Sequence, residues 1–129
     1  MKYVVFTNTI RKLTIMSKKL LLLLLCVPMI TLSQQTYVPD DNFENYLETN
    51  GMGNGIPNDD YVTTANINAI TSLGIFSLNI SDLTGIEDFT TLTNLYCGEN
   101  QLTSLNVSNN TNLNELDCHN NLLTNLDLS

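Results

Sequence analysis

Glu115, Asp117 and His119 alternate along one short stretch of a 129-residue chain, and two carboxylates with an imidazole are the set in this sequence with the most chemical character. In an extended segment alternate residues share a face, with neighbours about 7 Å apart, so the three could bind a divalent cation or exchange protons. The matching places one repeat earlier hold Asn94, Tyr96 and Gly98, and Gly74 and Phe76 lie at the level before, so nothing there completes a site. His119 is the only histidine, and a Ser-His-Asp set would have to be assembled around it on an open surface with nothing to exclude water. The expectation is a solvent-facing ligand strip of Asn94, Tyr96, Glu115, Asp117 and His119, with no catalytic residue, no metal site and no cofactor.

The elements that must position this strip follow from an internal repeat. Residues 92–108 laid on 113–129 give 8 identities in 17 pairs at an offset of 21, including Leu92/Leu113, Leu95/Leu116, Cys97/Cys118, Asn100/Asn121, Leu102/Leu123 and Leu105/Leu126. A more divergent copy precedes them, with Ile70, Leu73, Ile75, Ile80 and Leu83 at an offset of 22 and Leu78 at the place the Asn should occupy. Identities fall on the apolar frame while the positions between vary, which is what stacked rungs demand: inward residues must fit their neighbours and outward ones need not. Leu95 and Cys97 then point inward, and Asn94, Tyr96 and Gly98 face solvent. Asn at a tight bend supplies donors and acceptors that the turning backbone loses, and 18 Asn in residues 34–129 fit turn chemistry repeated along the chain. Cys97 and Cys118 fall on neighbouring rungs at a separation a disulfide tolerates, although free buried thiols acting as small hydrophobes are the preferred reading.

The pattern Leu-x-x-Leu-x-Cys-x-x-Asn-x-Leu, read at Leu92–Leu102 and again at Leu113–Leu123, resembles the leucine-rich repeat in the 21-residue variety of secreted, internalin-like bacterial proteins. The resemblance implies an α/β leucine-rich repeat solenoid, with parallel β rungs, little helix on the convex side and a helical N-terminal cap. It also implies that each Asn bonds backbone groups where the chain leaves its strand. The expected cap opens with Val38-Pro39-Asp40-Asp41-Asn42-Phe43; Asp41 followed by Glu44 fits a helix start, Phe43, Tyr46 and Leu47 share a helical face, and Asn50-Gly51 ends it. The loop from Asn50 to Ile56 is rich in glycine and followed by Asp59 and Asp60. It lacks most oxygen ligands of an EF-hand count, so calcium is not expected, and the reading is a flexible joint between cap and solenoid.

Before the cap, Lys18 and Lys19 precede an apolar run from Leu20 to Ile30 that is too short to span a membrane, followed by small residues and then Gln34 and Gln35, the pattern of a secretory leader. The expected division is 1–33 leader with Met16 as the economical start, 34–69 cap, and 70–129 about three rungs of a longer array. Cys26 inside the apolar run, preceded by Leu25, is read as an ordinary leader residue and not a lipidation site. All five Lys and Arg precede residue 20 and all thirteen Asp and Glu lie between Asp40 and Asp127. A chain from residue 34 is thus acidic with no Lys or Arg, which excludes nucleic-acid binding because it would repel phosphate.

The resulting expectation is a secreted or cell-surface module that recognises protein or glycan ligands in adhesion, without catalysis of its own. The competing reading is a repeat spacer attached to an enzyme encoded downstream. Three rungs offer fewer than ten outward residues, against the 20–30 per partner that a stable interface takes, so tight binding requires more rungs.

Overall fold

The computed structural model describes residues 33–129; the expected leader, the Met16 start and Cys26 lie outside the described residues. The cap is built from strand β1 (Gln35–Tyr37), helix α1 (Asp41–Thr49), strand β2 (Tyr61–Thr63) and the single turn α2 (Thr64–Ile67). The N-cap of helix α1 is Asp40, one residue before the expected Asp41: the Asp40 carboxylate Oδ1 accepts the N–H groups of Asn42 at 3.1 Å and Phe43 at 3.0 Å. Glu44 does not reach back to close a capping box. It turns inward, almost fully buried, and accepts the successive N–H groups of Asp59 and Asp60, which satisfies the carboxylate where water cannot. Phe43 and Leu47 bury the apolar face, and Phe43 stacks on Phe89 with ring centroids 6.3 Å apart.

The cap also contains an antiparallel pair, β1 with β2, that the sequence reading lacks. Thr36 at its centre is buried and donates from its hydroxyl to Asp88 at 2.6 Å, tying the pair to the 3-10 turn Ile86–Asp88 of the first rung. Gly85 makes this approach possible: its φ is +102°, and a Cβ there would lie 2.8 Å from the Tyr37 carbonyl oxygen.

Strands β3 (Ser72–Gly74), β4 (Asn94–Tyr96) and β6 (Glu115–Asp117) form a parallel sheet in that order. Its register sets Leu73, Leu95 and Leu116 side by side, as the repeat offsets require. On the opposite side of the coil, β5 (Ser104–Asn106) pairs in parallel with β7 (Asn125–Asp127), so the convex side carries short strands and one 3-10 turn. Between the two sheets lies one core, in which Ile75, Ile80, Leu92, Leu95, Cys97 and Leu102 are wholly buried. Burying an aliphatic side chain of this size contributes about 1.5–3 kcal/mol, and the repeat supplies several per rung. Cys97 is buried and Cys118 partly so, and both are free thiols. The glycine-rich segment is not a loose joint: it wraps the Glu48 carboxylate, which accepts the N–H groups of Asn54 at 2.6 Å and Gly55 at 3.1 Å.

Candidate functional site

The rungs are held in register by Asn100 and Asn121. Asn100 is buried; its amide donates to the carbonyls of Ile75 at 2.7 Å and Cys97 at 3.1 Å, and its Oδ1 accepts Leu78 N–H and Ile80 N–H, both at 3.0 Å. One side chain therefore bonds both its own rung and the previous one. Asn121 repeats the pattern, donating to the Cys97 and Cys118 carbonyls and accepting from Leu102 N–H. Leu78 occupies the Asn place in the first rung, and the cap is tied to that rung by a different residue at different groups. Asp40, whose Oδ1 caps the helix, uses Oδ2 to accept Ser81 N–H, the Ser81 hydroxyl and Asp82 N–H. Burial pushes the Asp40 pKa up, but the bonds from Ser81, Phe43 and Asp82 outweigh it and hold the carboxyl below its usual value.

This scaffold presents a small grid on the outer face of the three-stranded sheet. Ser72, Asn94 and Glu115 stand in one row and Gly74, Tyr96 and Asp117 in the next. The ladder continues past the strands through Ser77 N–H to the Gly98 carbonyl and Glu99 N–H to the His119 carbonyl, so Phe76, Gly98 and His119 make a third row. All five residues expected from the sequence, Asn94, Tyr96, Glu115, Asp117 and His119, lie on this face. They do not act as one constellation. Glu115 Oε2 accepts the Tyr96 hydroxyl and the Asn94 amide, each at 2.8 Å, whereas Asp117 Oδ1 faces His119 Nδ1 at 2.5 Å. The bond to Glu115 raises the Tyr96 pKa, and the His119 side-chain bond lowers that of Asp117.

Two residues of the face were missed as site candidates, and one was misplaced. Phe76 is 46% exposed, and its ring lies 5.5 Å from that of His119. Glu99 accepts the Ser77 hydroxyl at 2.6 Å beside them. Gly98, expected to face solvent, is buried, because it has no side chain of its own and the rings of Phe76 and His119 close over it. The offsets of 22 and 21 already align Phe76, Gly98 and His119; what they do not reveal is that two large rings flanking a glycine lean together.

Asn94, Tyr96 and Asp117 are half-buried on this face, and Glu115 and His119 are exposed. Clefts of about 310 Å³ and 420 Å³ are lined mostly by residues off this face, and the larger one includes Glu115. Outside the face, Asp41, Glu44 and Asp60 bring carboxylate oxygens within 4.8 Å of one another, but Glu44 already spends its oxygens on backbone N–H groups.

No family model matches the chain. Over 81 residues, 63% of its length, it is 38% identical to Internalin J of Listeria monocytogenes serotype 4b (strain F2365), of which it spans 8%. The solved functional domain of InlJ from Listeria monocytogenes, described as including a cysteine ladder, superposes with a TM-score of 0.62 at 37% identity, covering 74% of this chain and 22% of that one. An internalin, InlF, of Listeria monocytogenes strain 4b F2365 gives 0.57 at 23% identity, covering 70% of this chain and 30% of that one. A structure of the CBM51-2 and INT domains of Clostridium perfringens ZmpB, with GlcNAc bound to CBM51-2, gives 0.53 at 23% identity over 67% of this chain and 18% of that one. These last two likenesses concern the fold alone. The Cys97/Cys118 rungs, the Asn100/Asn121 turns and the capped parallel sheet, together with the likeness to Internalin J, make this chain an internalin-like leucine-rich repeat protein.

Proposed function

We propose that the chain is a recognition module of a secreted or cell-surface protein, binding a protein or glycan through the outer face of its parallel sheet in adhesion, with no catalysis of its own. The observation that carries this reading is the contrast between the two faces of one strand. Leu95 and Leu116 repeat because they pack, while Asn94, Tyr96 and Gly98 change to Glu115, Asp117 and His119 at the same places. A scaffold that conserves its inside and varies its outside is suited to display. The likeness to Internalin J supports the reading, as does the apolar leader-like run in the sequence. Among the described residues no helix is long and apolar enough to cross a membrane.

The test is a screen of the full chain against protein and glycan arrays, repeated with Tyr96→Ala and Asp117→Ala. Loss of the captured ligands in both variants, with unchanged melting, is the expected result. Retention of every ligand would remove the sheet face from recognition and favour a spacer beside a catalytic domain.

A further inference from the structure

The hydrogen-bonding inventory of the face narrows the class of partner. The Asn94 amide and the Tyr96 hydroxyl are both spent on Glu115 Oε2, the Ser77 hydroxyl on Glu99 Oε2, and His119 Nδ1 faces Asp117. Each of the three carboxylates keeps a second oxygen with no partner among the described residues, so the face offers mainly acceptors. Residues 33–129 contain no Lys or Arg, and His119 is the one side chain there that can carry positive charge. Next to these carboxylates Phe76 presents an exposed ring backed by His119.

We propose, as a refinement that rests on the recognition reading above, that this face takes a cationic protein segment, with one Arg or Lys lying over the Phe76 ring and further cationic side chains of the same segment reaching Glu99, Glu115 and Asp117. Guanidinium and ammonium groups have donors and no acceptors, which matches three carboxylates each with a free oxygen, set against the Ser72 hydroxyl and the second ring nitrogen of His119. A sugar hydroxyl both donates and accepts, and here it would find few donors left. A cation within about 6 Å of an aromatic ring gains from the ring quadrupole as well. Opposed charge also speeds encounter and makes binding fall with salt.

The experiment titrates the full chain with a fluorescent peptide rich in arginine and lysine, a glutamate-rich peptide of equal length, and a chitin hexasaccharide, at low and high salt. Two isosteric triple variants are compared. Glu99→Gln/Glu115→Gln/Asp117→Asn removes charge from the face while leaving amide oxygens for the internal bonds. Asp41→Asn/Glu87→Gln/Asp127→Asn removes the same charge elsewhere. The expected result is salt-sensitive binding of the cationic peptide alone, weakened about tenfold or more by the face triple and less than about twofold by the other, with Phe76→Leu weakening it as well. Equal loss in both triples would show general attraction to an acidic protein and overturn the proposal, as would no binding of the cationic peptide. Hexasaccharide binding that depends on the face would overturn the cationic partner yet keep the recognition reading. Array ligands indifferent to the face variants would overturn both.

Discussion

Phe76 and His119 lie just past the ends of the first and third strands of the sheet, two strand spacings apart, yet their ring centroids lie 5.5 Å from each other over the backbone of Gly98. Adjacent strands are separated by about 4.8 Å, so the rings meet only because the middle rung has no side chain between them. A Cβ on Gly98 would come within 2.7 Å of the His119 ring and 3.1 Å of the Phe76 ring.

Gly98→Val is therefore expected to separate the two rings while leaving the fold intact, because the atoms it meets are ends of side chains at the surface and its φ is not left-handed. Nuclear Overhauser contacts between Phe76 and His119 should vanish, with a stability change within about 1 kcal/mol. A collapse of the fold would mean that the closed ring pair is structural.

Asn100→Ala removes donors and acceptors from two rungs at once and takes this partner from the Ile75 carbonyl and the Leu78 and Ile80 N–H groups, while the Cys97 carbonyl keeps its bond from Asn121. Each buried group left unsatisfied costs about 1–3 kcal/mol, so a loss of about 3–5 kcal/mol is expected from denaturant unfolding, after partial rescue by water. Asn121→Ala should cost less, since Asn121 is less buried than Asn100.

The two faces of the strands should respond oppositely. Leu95→Asp places a charge in the fully buried core and is expected to abolish cooperative unfolding, whereas Asp117→Ala, on the solvent side, should shift the melting temperature little. A large loss from Asp117→Ala would overturn the assignment of the outer face.

Asp40 links cap and first rung through a carboxylate whose pKa is lowered in the fold. A depressed folded pKa means stability that is present above the unfolded value of about 4 and lost as pH falls through the lower folded value. Thermal melts should therefore drop as the solution is acidified below about pH 4, and Asp40→Asn should be destabilised at neutral pH and show a shallower acid dependence.

Burial and the neighbouring Cys118 push the Cys97 thiol up to about 12. At pH 8 about one molecule in ten thousand would carry the thiolate at that site, so alkylation of Cys97 should be negligible in the native chain and rapid in urea. Peptides for mass spectrometry can come from cleavage at acidic residues, since residues 33–129 have no Lys or Arg for trypsin.

Much of the architecture was legible in one sequence because a period of 21 repeats the same steric problem. Leu95, Cys97, Asn100 and Leu102 recur as Leu116, Cys118, Asn121 and Leu123, and the parallel register follows that offset. The first rung was harder to read, since Leu78 stands where the Asn belongs, and the β1–β2 pair is too short to leave a periodic signal.

By itself, then, the sequence determined which apolar residues of the repeats face inward, where their Asn turns fall and that Glu115 and Asp117 stand on the outer face, because stacking acts on residue type at fixed spacing. Only the tertiary structure decided that Asp40 ties helix α1 to the first rung with its two oxygens. It alone divided Glu115 from Asp117 and His119, and closed Phe76 and His119 over Gly98. These outcomes depend on which side chains from distant positions compete for the same hydrogen bonds and the same space, and no local pattern encodes that competition.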